Sequence, residues 1–148
     1  MARALQRLEA MQDSMTPQRA LADLLAQHEE LRELMNLCEL LADQLDAEQI
    51  EVIELVREVA RLRIAFDAHN QFEELYLRPI LCEVDVFGAM RLDQMLADHT
   101  REHRMMHERL AGGATTELRR TLTGLRTHLE IEEGHFLSSR VLARAGRR

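Results

Sequence analysis

Tryptophan is absent, tyrosine occurs once and phenylalanine four times, so aromatics are only 3 % of the 148 residues. A β-sheet would have little to pair across its faces, whereas the abundant Leu, Ala, Glu, Arg and Met favour helix. Lysine is missing too: all 19 basic residues are arginine, which we read as a base-composition bias of the source genome. Cys38 and Cys82 are the only cysteines and show no C-x-x-C spacing, which excludes a disulfide framework and a zinc knuckle and fits a reducing cytoplasm. No apolar run approaches the roughly 18 residues of a membrane span, and the opening Met-Ala-Arg-Ala-Leu-Gln-Arg-Leu has no apolar signal core. The expected chain is soluble and cytoplasmic. A formal charge of −7 excludes nucleic acid as a main partner, although the last residues are basic. The H-E-x-x-H of zinc proteases, a P-loop and a nucleophile elbow are all missing.

The length suits one domain with a sizeable core. Proline and glycine are sparse, and their positions predict four long helices. Residues 2–12 read as a short amphipathic leader, ended by Asp13-Ser14-Met15-Thr16-Pro17. Thr16 is placed to cap a first helix of about 17–44, with Pro17 in its first turn. Asp46 with Gln49 resembles a capping box for a second helix, expected to end near Pro79. A loop over 82–88 leads past Gly88 into a third helix, closed by Gly112-Gly113. Thr115 or Thr116 caps a fourth that runs to about 143. The expected fold is an all-α, up-down-up-down antiparallel four-helix bundle over 16–143, with a helical leader over 1–15 and a basic tail over 144–148.

Apolar periodicity selects the buried faces. The first helix offers Leu21, Leu25, His28, Leu31, Met35, Cys38 and Ala42. The second offers Val52, Leu55, Val59, Leu62, Phe66, His69, Glu73, Tyr76 and Ile80. The third offers Leu92, Leu96, His99, His103, Met106 and Leu110, and the fourth Leu118, Thr121 or Leu122, Leu125, His128, Glu132 and Phe136 or His135. Each stripe therefore carries at least one histidine where an apolar residue would do.

His69/Glu73, His99/His103 and His128/Glu132 are spaced i to i+4, which stacks both side chains on one helix face about 6 Å apart along the axis. In an antiparallel bundle, residues at one level lie equally far from the intervening turn. That condition puts turns at Val86-Phe87-Gly88 and beside Thr115, where turn signals occur. Between His28 and the His69/Glu73 pair it asks for a turn near positions 49 and 50, a few residues beyond the best signal at 44–48. A lone histidine on an apolar stripe is more often a hydrogen-bonded core residue than a ligand. Seven titratable groups at one level are another matter, because burying them without partners costs on the order of several kcal/mol each. Metal coordination satisfies them together. Imidazoles with two carboxylates favour iron, manganese or zinc over calcium or magnesium. His107 falls off the third seam, and Glu29, Glu30, Glu74, Glu130 and Glu133 read as solvated faces, with Glu133 an i+5 alternative to Glu132.

The order His28, His69-x3-Glu73, His99-x3-His103, His128-x3-Glu132 on successive helices resembles the hemerythrin family, in its bacterial HHE cation-binding branch, over about residues 17–140. The stretches His69-Asn-Gln-Phe-Glu-Glu-Leu-Tyr-Leu-Arg-Pro79 and His128-Leu-Glu-Ile-Glu-Glu133 carry the likeness. The resemblance implies two non-haem irons joined by an oxo or hydroxo bridge. His99, His103 and His128 would hold one iron and His28 with His69 the other, with Glu73 and Glu132 bridging both. Dioxygen, peroxide, nitric oxide or a small anion would bind the less crowded iron. Oxygen carriers of the family typically place an Asp at i+5 in the last helix, where this chain has Glu132 at i+4. The expected function is therefore small-ligand binding for sensing, carriage or detoxification. Two alternatives stand beside it: a mononuclear or zinc-filled regulatory module, and a helical interaction domain. The leader is read as a docking element for a partner protein or a second copy.

Overall fold

The computed structural model describes residues 15–84, 93, 97, 98, 100, 101, 104 and 115–135. Among them lie three helices and no strand: α1, Pro17–Asp46; α2, Val52–Val84; and α3, Thr115–His135. Helix α3 is the expected fourth helix. Asp93, Ala97, Thr100, Arg101 and Arg104 are also helical and all are exposed, a spacing that belongs to one outward helix face. The seam residues of the expected third helix lie outside the described residues, as do residues 1–14 of the expected leader and the tail. No described helix is long and apolar enough to cross a membrane.

Helix α1 starts as the sequence predicts. Thr16 is extended, with φ −78° and ψ 154°, and its Oγ1 accepts the Arg19 N–H at 3.2 Å, satisfying one of the orphan donors of the first turn. The far end differs. Asp46 closes α1 instead of capping α2. Ala47, Glu48 and Gln49 return their N–H groups to the carbonyls of Asp43, Leu45 and Gln44, and Glu48 adopts a left-handed φ of 57°, which reverses the chain while satisfying the last carbonyls. The turn thus occupies 47–51, where the one-level condition for His28 asked for it. Helix α2 also overruns its predicted stop and continues through Pro79 to Val84. Proline removes one N–H and crowds the carbonyl four residues back, a cost that a long helix can absorb.

Helix α1 packs against both α2 and α3. The shared core comprises Leu31, Met35, Cys38 and Ala42 of α1, Leu55, Leu62 and Phe66 of α2, and Leu118, Leu122, Leu125 and Leu129 of α3. Three stripe assignments shift by one residue. Ala20 and Leu24 are buried in place of Leu21 and Leu25, and Leu77 in place of Tyr76. Because Leu24 and Leu25 are both leucines, apolar content could not separate them; counting back from His28 in steps of four does. Val52, the expected first seam residue of α2, is 54 % exposed at the helix start.

A polar ladder joins α1 to α3 beside this core. Thr115 donates to Asp46 at 2.8 Å, and Arg119 reaches Asp43 at 2.6 Å and Asp46 at 2.9 Å. Arg126 reaches Asn36 at 2.9 Å and Glu39 at 2.7 Å, and Arg32 reaches Glu133 at 2.7 Å. The partners descend on α1 as they ascend on α3, so the two helices run antiparallel with fixed register. Cys38 lies in the core as a free thiol, and burial pushes its pKa up to about 11, which keeps it protonated and unreactive.

Candidate metal centre

One level of this core is polar. His28 on α1, His69 and Glu73 on α2, and His128 and Glu132 on α3 are all buried, each in a stripe that is mostly apolar. Ligand atoms of His28, His69, Glu73 and Glu132 lie within 4.8 Å of one another, a grouping able to hold a metal ion. The rings of His28 and His69 meet edge to face, with centroids 4.8 Å apart. Phe66 forms an apolar floor, its centroid 6.1 Å from those of both His69 and His128.

Glu132 is central to the geometry. Its Oε2 lies 3.2 Å from His28 Nε2 and 3.4 Å from His69 Nε2, while its other oxygen, Oε1, contacts Nε2 of His128 one turn earlier on α3. Glu73 Oε1 lies 3.4 Å from His69 Nε2. Both α1 and α2 imidazoles turn the remaining nitrogen outward. His28 Nδ1 donates to Glu133 Oε1 at 2.8 Å, and His69 Nδ1 donates to Gln27 Oε1 at 3.0 Å. This is how ligand histidines are usually oriented, with Nδ1–H fixed by an outer acceptor and the Nε2 lone pair aimed at the ion. The inward Nε2 atoms of His28 and His69 are buried and make no hydrogen bond. The residues therefore fit a metal: inward imidazole nitrogens converge with two buried carboxylates, a set that a cation satisfies and an apolar core does not.

Without a cation, a proton takes part of that role. Burial disfavours the charged His69 imidazole, yet its interactions with Glu132 and Glu73 outweigh this and push its pKa up to about 9. Glu133 behaves in the opposite sense. Partial burial resists its ionisation, but His28 and Arg32 hold its carboxyl below the usual carboxylate range.

Of the residues expected at the site, the structure brings together His28, His69, Glu73, His128 and Glu132; His99 and His103 lie outside the described residues. Glu133, read from sequence as a solvated face, is instead bound to His28 and Arg32. Gln27, Arg32 and Asn70 escaped the sequence reading. Gln27 directly precedes His28 and Asn70 directly follows His69, off the apolar stripes of their helices. Asn70 is buried, with no hydrogen-bond partner for Oδ1. A cleft of about 330 Å³ between α1 and α2 reaches His69 past Gln27, Ala65, Ala68 and Phe72.

Fold and site together define a class: helical proteins with a buried histidine–carboxylate cluster suited to a metal ion. The family model described as hemerythrin HHE cation binding domain matches residues 19–139, and the chain belongs to that family. No curated protein and no solved structure gives a significant match.

Proposed function

We propose that the protein is a cytoplasmic, non-haem di-iron protein whose site binds dioxygen, peroxide, nitric oxide or a related small ligand for sensing, carriage or detoxification. The observation that carries this reading is the two-sided placement of Glu132. One carboxylate oxygen faces His28 and His69 and the other faces His128, the disposition of a carboxylate that bridges two ions. In this reading His28 and His69 hold one ion, His128 with His99 and His103 the other, and Glu73 joins Glu132 between them. The reading requires His99 and His103 on a third bundle helix with both facing the core. The exposed helical positions 93, 97, 100, 101 and 104 support it, because they leave the opposite face of that helix for the core.

When bound, iron would supply reversible binding or reduction of small oxidants. The chain's own groups do the rest. Gln27 and Glu133 fix the ring orientations, Phe66 excludes water from the floor, and the cleft beside His69 gives a small ligand a route inward. A free, buried Cys38 thiol fits a reducing compartment. The leader over residues 1–15 is proposed as a docking element for a partner or a second copy.

A second reading, one ion held by His28, His69, Glu73 and Glu132, is favoured by the 4.8 Å spread of those four ligand atoms. Metal analysis with a visible spectrum of aerobically purified protein separates the two. Two irons per chain with near-ultraviolet and visible absorption are expected; one colourless zinc per chain would overturn the di-iron reading.

A further inference from the structure

Glu132 and Glu133 are consecutive on α3 yet face different surroundings. The Glu132 side chain is 2 % exposed, within the cluster, whereas that of Glu133 is 30 % exposed at its rim. A single oxygen of Glu133, Oε1, accepts both the Nδ1–H of His28 at 2.8 Å and Arg32 Nη2 at 2.7 Å. Arg32 lies one turn beyond His28 on α1, and its Nη1 is held in turn by Glu29 at 2.9 Å. His69, on the same side of the cluster, is backed by the neutral amide of Gln27. One imidazole is thus supported by a carboxylate clamped by an arginine, and its neighbour by an uncharged acceptor.

We propose that Glu133, oriented by Arg32, is a positioning residue that locks His28 as the Nδ1–H tautomer and makes it the stronger imidazole donor of the His28/His69 pair. This rests on the metal reading above. An acceptor on Nδ1 leaves the lone pair on Nε2, aimed at the cluster, and a carboxylate acceptor also pushes electron density into the ring, which a neutral amide does less. Arg32 keeps the carboxylate in place, because unclamped it could turn to solvent through its exposed side.

The test compares wild type with Glu133→Gln, Glu133→Ala, Arg32→Met and Glu132→Ala. Iron(II) and cobalt(II), each alone, are titrated against a chromophoric chelator, and the visible bands of the cobalt form are recorded. Loss of an outer partner of a ligand histidine typically weakens binding about 10–100-fold. That loss is expected for Glu133→Ala with metal per chain unchanged at saturation. Glu133→Gln, which keeps an acceptor but not the charge, should fall between Glu133→Ala and wild type and should shift the cobalt bands. Arg32→Met should lie near Glu133→Gln. Melting of the metal-free variants separates positioning from helix stapling, because Glu133→Gln should melt within a few degrees of wild type. Unchanged affinity and cobalt spectrum in Glu133→Ala would overturn the proposal. So would a drop in metal per chain matching that of Glu132→Ala, which would make Glu133 a ligand. A wild-type protein that takes up neither metal would remove the metal reading itself, and this proposal with it.

Discussion

At the scale of single residues, neighbouring groups of one chemical type are put to different uses by a rotation of about 100° along a helix. Glu132 points among the histidines, and substituting it by alanine should lower bound metal per chain more than Glu73→Ala does, because Glu132 contacts imidazoles on two sides. Elemental analysis of both purified variants checks this; equal and undiminished metal content would remove Glu132 from the bridge. His69 gives a pH signature to the metal-free protein. Its folded pKa of about 9 exceeds the ordinary 6.5, so the bound proton contributes stability that is complete below pH 6.5 and lost as pH rises through about 9. The metal-free melting temperature should fall across that window, and His69→Gln should flatten the fall. A flat wild-type profile would contradict a buried imidazolium. Metal must displace the same proton, so affinity should rise over the same range. The buried histidines and glutamates of the cluster were legible in the sequence because each stands on a mostly apolar stripe, where a polar residue is conspicuous. Gln27, Arg32 and Glu133 were not, because they lie beside the stripes, and surface position on a helix does not reveal which buried ring a long side chain will reach.

At the scale of helices, the core seam and the outer faces should respond very differently to the same truncation. Leu125 is fully buried in the shared core, whereas Leu40 is 52 % exposed. Leu125→Ala should cost about 2–5 kcal/mol by chemical denaturation, and Leu40→Ala about 0.5 kcal/mol or less. Comparable losses would mean that the seam of α1 or α3 has been misassigned. Thr16 was legible as a cap because a threonine before a proline satisfies two separate demands of a helix start. The turn after α1 was less so. Asp46 carries the chemistry of a cap, but Thr115 and Arg119 claim its carboxylate across the bundle, a tertiary demand invisible to local spacing. Pro79 misled for a related reason: local rules give the penalty of a proline within a helix, not what the surrounding helix can tolerate.

For the molecule as a whole, folding and metal binding should be one coupled equilibrium. Without a cation, protons satisfy the buried carboxylates and imidazoles only in part, so the metal-free protein should melt well below the metal-loaded form, the gap widening with free metal concentration. Coincident melting curves, followed by circular dichroism, would dissociate the cluster from stability. The ladder between α1 and α3 adds a further consequence. Towards the turn, acids of α1 face arginines of α3, whereas beside the cluster an arginine of α1 faces an acid of α3. Sliding α3 towards the start of α1 would carry Arg126 towards Arg32 and set like charges together. Solvent-exposed pairs of this kind are too weak to govern melting, yet a slip of one residue displaces a residue of the cluster by about 1.5 Å. Ionic strength is therefore a selective lever. Shortening the screening length from about 10 Å at 0.1 M salt to about 3 Å at 1 M should speed the escape of metal to a chelator while leaving the unfolding temperature nearly still.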